Sequence, residues 1–148
     1  MPTSNAVRKA VSQLRVPGRL RREIESLAAN GYPDEVCGLL VGRFDQAAIH
    51  VERVTWARNL NTTRSRDRFA LDPRGFLRAE RIADEQGLDV VGIWHSHPDH
   101  AAVPSQTDLD AAWPGYAYVI VSVVGGRAVE TRSWRLDTDR FVEEEVTS

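Results

Sequence analysis

With 148 residues, of which 42% are hydrophobic and 27% are charged, the chain is long enough to bury the core of one ordinary globular domain. Its formal net charge of −2 excludes the basic excess with which proteins bind nucleic acids or anionic membranes. The single cysteine, Cys37, excludes an intrachain disulfide and a zinc site built from several cysteines, and its apolar neighbours indicate a buried side chain.

The beginning of the chain shows neither an apolar segment nor a periodic pattern. No stretch approaches the roughly 20 apolar residues that span a bilayer, and residues 1–10 lack the apolar segment of a signal peptide. We therefore expect a cytoplasmic protein without a membrane partner. Residues 1–14 are mostly polar, so we expect a flexible lead-in followed by one domain over residues 15–148.

The first half of this domain predicts one helix and two strands. Apolar residues recur at i, i+4, i+7 and i+8 over 20–28, which predicts an amphipathic helix that ends at Gly31. The continuous apolar run 36–42 is typical of a strand buried on both faces, and residues 49–56 alternate as a second strand. The polar, arginine-rich stretch 59–67 is predicted to be a loop.

The second half begins with a helix that has clear end signals. Asp72 is a natural N-cap before Pro73, and Gly87 ends the segment. A buried strand over 88–94 follows, and residues 105–112 have helical character. The remaining predicted elements are strands over 116–124, 128–136 and 141–146, with a hairpin turn at 125–126. This order of elements indicates an α/β (mixed α+β) fold, a single domain in which a mixed sheet packs between helices.

His95 and His97 form a His-x-His pair where the predicted buried strand ends. Because side chains in a strand alternate between its two faces, the two histidines project from one face and Ser96 from the other. Pro98 then stops the strand. Two imidazoles on one face can bind a single metal ion at about 2.0–2.1 Å each. On its own, such a pair is more often incidental or structural.

Ser105 and Asp108 follow within one predicted helical turn and could complete the site. Ser105 is a natural N-cap, and residues three apart share a helix face, so both side chains can point at the histidines. Two histidines and one carboxylate leave the fourth tetrahedral position open, which is typical of catalytic rather than structural zinc sites. The alternative is an ordinary helix cap. The two other histidines, His50 and His100, are not expected to be ligands.

A catalytic metal site of this kind also needs a nearby carboxylate that accepts a proton from water. The chain contains 21 acidic residues, and physical reasoning alone does not choose among them. Glu35 is attractive because it opens the predicted buried strand, where a carboxylate at the strand end could reach across the sheet.

Taken together, these residues resemble the JAMM motif of the MPN+ (JAB1/MPN/Mov34) metallopeptidases. The matching pattern is Glu35 far upstream, then His95-Ser96-His97-Pro98, six further residues, and Ser105-x-x-Asp108. The resemblance extends from Val16 to about Val146, and segments 33–40 and 113–116 are similar to those of short prokaryotic members. It implies a curved mixed sheet flanked by helices, similar to the cytidine deaminase fold. The deaminases' own His-x-Glu and Pro-Cys-x-x-Cys signature is absent.

The resemblance implies a role for each matching residue. His95, His97 and Asp108 would bind zinc. Glu35 would be the general base that takes a proton from the attacking water and passes it to the leaving amine. Ser105 would stabilise the oxyanion, a role that suits a hydroxyl at a helix start.

The resemblance also implies a class of substrate. Family members cleave the peptide or isopeptide bond after the C-terminal Gly-Gly of ubiquitin or a ubiquitin-like protein. The short prokaryotic members act on ubiquitin-like sulfur carriers, as in the carrier-dependent route to cysteine, and others are similar to deconjugating enzymes. We expect a carrier tail here, because a chain of this length has little room for the insertions that select a polyubiquitin linkage.

Two other functions are compatible with the sequence. Some MPN domains lack the metal ligands and serve as binding modules, although all five positions are filled here. The motif also specifies the bond chemistry rather than the partner, so a peptidase that acts on small peptides without a carrier has the same signature.

Overall fold

The computed structural model describes residues 12–148. Within that range the strands are β1 (Gln13–Arg15), β2 (Cys37–Phe44), β3 (Ile49–Ala57), β4 (Asp89–Pro98), β5 (Ala117–Val124), β6 (Arg127–Asp137) and β7 (Arg140–Thr147). The helices are α1 (Gly18–Gly31), α2 (Pro73–Gln86) and α3 (Gln106–Asp110). Every helix and strand that the sequence predicts is present, and β1 is the one that the sequence analysis missed.

The boundary expected after residue 14 needs a correction. Residues 1–11 lie outside the described part of the chain, but Gln13 and Leu14 belong to β1 rather than to a lead-in. Leu14 is fully buried in the core. Three residues are too few to show a hydrophobic period, so β1 is defined by its tertiary partners and not by its own pattern.

The strands form one mixed sheet, as predicted, in the order β1-β3-β2-β4-β5-β6-β7. β4 and β5 run parallel, whereas β2 is antiparallel to both β3 and β4. β1 pairs in parallel with β3 on one side and with β7 on the other, so the sheet closes on itself. The closure was not predicted, because it depends on the short strand β1.

A buried carboxylate reinforces the seam where the sheet closes. Glu144 on β7 accepts hydrogen bonds from Ser12 Oγ at 3.0 Å, Ser133 Oγ at 2.8 Å and Arg135 Nε at 2.8 Å. A buried charge is tolerated only when it is paired and hydrogen-bonded, as this one is. The contact therefore ties the end of the sheet to the residue that precedes β1.

The two long helices cover opposite faces of the sheet, as the sequence predicts. On one face, Leu40 and Trp94 pack in the same buried cluster as α1, whose buried residues are Leu20, Ile24 and Ala28. On the other face, Leu39 and Val41 pack against Ala79 and Ala83 of α2. Both faces of β2 are thus covered, which explains its continuous apolar sequence. No helix of residues 12–148 is long and apolar enough to span a membrane.

The register of β2 against β4 determines where the candidate residues meet. Cys37 at the start of β2 pairs with His95 near the end of β4. Just before β2, the backbone N–H of Ser96 donates to Val36 O at 2.9 Å, and Val36 N donates to Ser96 Oγ at 2.9 Å. Glu35 therefore lies beside the histidine pair, although it precedes His95 by 60 positions in the chain.

Candidate metal centre

Three side chains named by the sequence analysis converge at the end of β4. His95 Nε2 lies 3.0 Å from His97 Nε2, and Asp108 Oδ2 lies 3.1 Å from His97 Nε2 and 3.3 Å from His95 Nε2. The two imidazole rings project from the same face of β4, as the strand period predicts. Ser96 between them points the other way and accepts the backbone N–H of Val36.

This donor set fits a zinc ion. Zinc takes imidazole nitrogen and carboxylate oxygen as ligands at about 2.0–2.1 Å, so neighbouring ligand atoms of a tetrahedron lie about 3.3 Å apart. The three observed separations, 3.0, 3.1 and 3.3 Å, are close to that value. With three protein ligands, the fourth position is left to water or substrate, as in catalytic sites. Within residues 12–148, this is the one group of such side chains with a metal-binding geometry.

The imidazole of His97 is held in a fixed orientation by the loop that follows β4. Its Nδ1 donates to the carbonyl oxygen of Ala101 at 2.8 Å. In the metal-free protein a proton on Nε2 is donated to Asp108. When that proton is lost, the lone pair lies on Nε2, which faces the proposed metal position. Burial acts to lower the pKa of His97, but the hydrogen bonds to Asp108 and Ala101 outweigh it and raise the pKa.

His95 is held by ring packing rather than by a second hydrogen bond. Its ring stacks on Phe69 with centroids 4.4 Å apart, and its Nδ1 is buried without a hydrogen-bond partner among the described residues. Burial lowers the pKa of His95, which favours the neutral imidazole that binds metal ions.

Ser105 and Asp108 form a reciprocal cap at the start of α3. Ser105 Oγ accepts the backbone N–H of Asp108 at 3.0 Å, and Asp108 Oδ2 accepts the backbone N–H of Ser105 at 2.9 Å. The helix cap is therefore present, and it holds the Asp108 carboxylate beside the two histidines. Burial acts to raise the pKa of Asp108, but the hydrogen bonds from His95 and His97 outweigh it and hold the pKa well below its usual range.

Glu35 is a buried carboxyl next to this cluster, with 5% of its surface exposed. Burial raises its pKa to about 8, and the charges of Asp108 and Asp67 add to the rise while His97 opposes it. A carboxyl whose pKa lies near neutrality suits a group that both accepts and donates a proton. Its place beside the histidines and its raised pKa thus distinguish Glu35 among the acidic residues.

The raised pKa leads to a prediction about stability. Between pH 4.5 and about 8 the folded metal-free protein keeps the proton on Glu35, whereas the unfolded chain releases it. The protonated Glu35 carboxyl therefore makes its full contribution to the free energy of unfolding below pH 4.5. This contribution is lost as the pH rises through about 8. From pH 5 to pH 8, the free energy of unfolding of the wild type should fall by about 3 kcal/mol relative to that of Glu35→Gln. Urea unfolding of both metal-free proteins measures this difference, and two parallel pH curves would contradict the prediction.

The cluster opens onto a pocket of 440 Å³. Its lining includes Glu35, His97, Ser105 and the loop side chains Arg64, Asp67 and Arg68. Ser105 is exposed there, and because its Oγ serves as acceptor in the cap, the hydroxyl hydrogen is free to donate to a molecule in the pocket. His100 also lines the pocket but does not join the three converging side chains, as predicted. His50 lies at the start of β3, where its ring pairs with Asp45.

Sequence reasoning missed two residues that support the site. Phe69 stacks on His95, and Asn59 donates a hydrogen bond to the carbonyl oxygen of Glu35 at 3.0 Å. Asn59 begins the stretch 59–67 that was predicted as a loop, and Phe69 lies two residues after its end. No local pattern indicates such contacts, since they depend on how the loop folds back over β2 and β4.

Comparisons with known proteins agree with this geometry. Residues 17–137 match Prok-JAB, the prokaryotic homologs of the JAB domain. A desampylase of Pyrococcus furiosus is 33% identical over 147 residues, which cover 97% of this chain and 96% of the relative. A CysO-cysteine peptidase of Mycobacterium tuberculosis is 33% identical over 122 residues, 80% of each chain. The solution structure of a protein from Desulfitobacterium hafniense superimposes with a TM-score of 0.78 at 34% identity, covering 91% of this chain and 90% of that one.

Proposed function

Because the chain belongs to the family of prokaryotic homologs of the JAB domain, we propose that it is a zinc-dependent peptidase of ubiquitin-like carrier proteins. It is a hydrolase of the JAMM type. The bond that we propose as its target is the peptide or isopeptide bond after a C-terminal Gly-Gly. The observation that carries the proposal is the convergence of His95, His97 and Asp108 within 3.3 Å beside the buried carboxyl of Glu35.

The proposed mechanism assigns one task to each side chain. His95, His97 and Asp108 would hold zinc, which polarises a carbonyl group and lowers the pKa of water when it is bound. Glu35 accepts a proton from the attacking water as the water oxygen bonds to the scissile carbonyl carbon. The same carboxyl then donates this proton to the leaving amine as the C–N bond breaks.

Ser105 is proposed to stabilise the transition state. Its hydroxyl faces the pocket from the start of α3, and its hydrogen is free to donate to the oxygen of the scissile carbonyl as negative charge develops there. The cap with Asp108 fixes the position of Ser105 relative to the metal ligands. A donor that is already in place costs little reorganisation at the moment of reaction.

The proposed substrate is the extended tail of a carrier rather than a folded surface. The relatives named above are a desampylase and a CysO-cysteine peptidase, and we infer that this chain also acts on a ubiquitin-like protein or sulfur carrier. A tail of two glycines lacks side chains, so its backbone can approach the catalytic residues closely in a narrow pocket. We assign this activity to the single domain that begins at β1.

The test is mass spectrometry of a ubiquitin-like carrier that carries one additional cysteine after its C-terminal Gly-Gly, incubated with the zinc-loaded protein. The expected result is a mass loss that leaves Gly-Gly as the new end. A chain that binds the carrier tightly and never shortens it is a binding module and contradicts the proposal. Equal turnover of free dipeptides and of the carrier would contradict the requirement for a carrier.

A further inference from the structure

The loop that faces the pocket is closed at its base next to Glu35. We refer to residues 59–71 as the arginine loop, after Arg64, Arg66 and Arg68. Asn59 and Leu71 form an isolated antiparallel bridge, and two backbone hydrogen bonds flank it, from Leu60 N to Ala70 O at 2.8 Å and from Asp72 N to Arg58 O at 2.9 Å. The loop therefore has a defined base from which its middle part reaches the pocket.

The side chain of Asn59 uses its full hydrogen-bonding capacity at this base. Its Nδ2 donates to Glu35 O at 3.0 Å and to Arg68 O at 3.1 Å. Its Oδ1 accepts the backbone N–H groups of Asn61 and Ala70, each at 3.0 Å. A side-chain amide offers two donor hydrogens and two acceptor lone pairs, and all four are engaged here. Asn59 thus joins both ends of the arginine loop to the backbone of Glu35.

The backbone of Glu35 depends on this loop because it lies outside the sheet. The strand ladder of β2 begins at Cys37, two residues later. The N–H of Glu35 donates to Ser65 O, and its carbonyl oxygen accepts from Asn59. Both backbone hydrogen bonds of this buried residue are therefore made with the arginine loop, which supports Glu35 next to the pairing of Val36 with Ser96.

We propose that Asn59 is a positioning residue for Glu35, an inference that rests on the proposed role of Glu35 as the general base. Asn59 acts from the loop that also supplies Arg64, Asp67 and Arg68 to the pocket. The arginine loop therefore both lines the pocket that would hold the substrate and supports the backbone of Glu35. Displacement of a catalytic group by about 1 Å can cost about 100-fold in rate.

Two substitutions at Asn59 test the inference, with Asn61→Ala as the matched control. Asn59→Ala removes all four hydrogen bonds, whereas Asn59→Asp removes the two donors but keeps the acceptors that close the loop. Among residues 12–148, the side chain of Asn61 accepts hydrogen bonds from Thr63 and Arg64, both inside the loop. With the carrier ending in Gly-Gly-Cys, we expect both Asn59 variants to lose about 10- to 100-fold in kcat with less than about threefold change in KM. Asn61→Ala should stay within about twofold of the wild type.

A double-mutant cycle and a crystal structure separate positioning from a general loss of stability. In a Glu35→Asp background, where the carboxyl is already displaced, Asn59→Ala should slow the reaction by less than about threefold. The crystal structure of Asn59→Ala should show the Glu35 carboxylate moved by about 1 Å or more relative to His95 and His97, with one zinc still bound per chain. If Asn59→Ala fails to fold, Asn59→Asp provides the same measurements.

Two results would overturn the inference: a kcat within about twofold of wild type for both Asn59 variants, or an equal effect of Asn59→Ala in the wild-type and Glu35→Asp backgrounds. The proposed function fails separately, if the zinc-loaded wild type does not cleave the carrier. In that case the position of the Glu35 carboxylate in the variant crystal still tests the role of Asn59, because it needs no activity.

Discussion

Replacing His97 with alanine is expected to lower zinc affinity by more than about 100-fold and turnover by at least about 1,000-fold. The imidazole lies 3.0 Å from His95 Nε2 and 3.1 Å from Asp108 Oδ2, so its removal leaves two ligands that cannot enclose the ion. Loss of a partner that merely orients a ligand costs about 10- to 100-fold in affinity, and loss of the ligand itself costs more. Zinc per chain after dialysis against a chelator and kcat on the carrier are the measurements.

His50→Ala is the matched control for this experiment. It also removes one histidine, but from the start of β3, where the ring pairs with Asp45. We expect it to keep one zinc per chain and wild-type turnover. A His97→Ala protein that still binds one zinc with unchanged affinity would show that the three converging side chains are not the metal site.

Glu35→Gln is expected to lower kcat by about 100- to 10,000-fold while zinc binding is retained. Glutamine preserves the shape of the side chain but cannot accept the proton of the attacking water. Its amide is also uncharged, so the cost of burying an ionised carboxyl, which raises the pKa of Glu35 to about 8, disappears. The variant should therefore be more stable than the wild type in the metal-free form at pH 8 and nearly inactive in the zinc-loaded form.

Because Glu35→Gln should raise stability and lower kcat, it distinguishes a catalytic role of Glu35 from a purely structural one. A residue that only supports the fold would lose stability and activity together, whereas a buried catalytic carboxyl gains one and loses the other. The matched control is Asp34→Asn, which neutralises the neighbouring carboxylate, an exposed group that accepts a hydrogen bond from Ser65 Oγ. We expect its kcat to stay within about threefold of wild type. Wild-type turnover by Glu35→Gln would remove Glu35 from the mechanism.

Some of the features behind these expectations can be seen in the sequence, and others only in the tertiary structure. The strand period and the helix cap indicate in the sequence that His95, His97, Ser105 and Asp108 can meet. The structure brings the two histidines and the carboxylate together with the expected faces. The sequence predicts a buried strand that runs from 88–94 into the histidines and stops at Pro98, and β4 spans Asp89–Pro98 in the structure. Both histidines are part of the ladder with β5, a pairing that the sequence did not predict.

The choice of Glu35 was reached differently. Among 21 acidic residues, physical reasoning from the sequence favoured it only by its place at the start of a buried strand, and the resemblance to JAMM proteins selected it. In the structure its selection has a physical basis. The pairing of β2 with β4 brings the start of one strand to the end of the other, and the burial that follows raises the pKa of Glu35 to about 8.

The sequence by itself determined the local half of the site. His95 with His97 and Ser105 with Asp108 are two and three residues apart, and strand and helix geometry alone relate such neighbours. The tertiary structure decided the contacts between distant segments: the closure of the sheet through β1, the position of Glu35 and its support by Asn59. These depend on strand register and loop path, and no periodic pattern within one segment carries information about which distant segment it will meet.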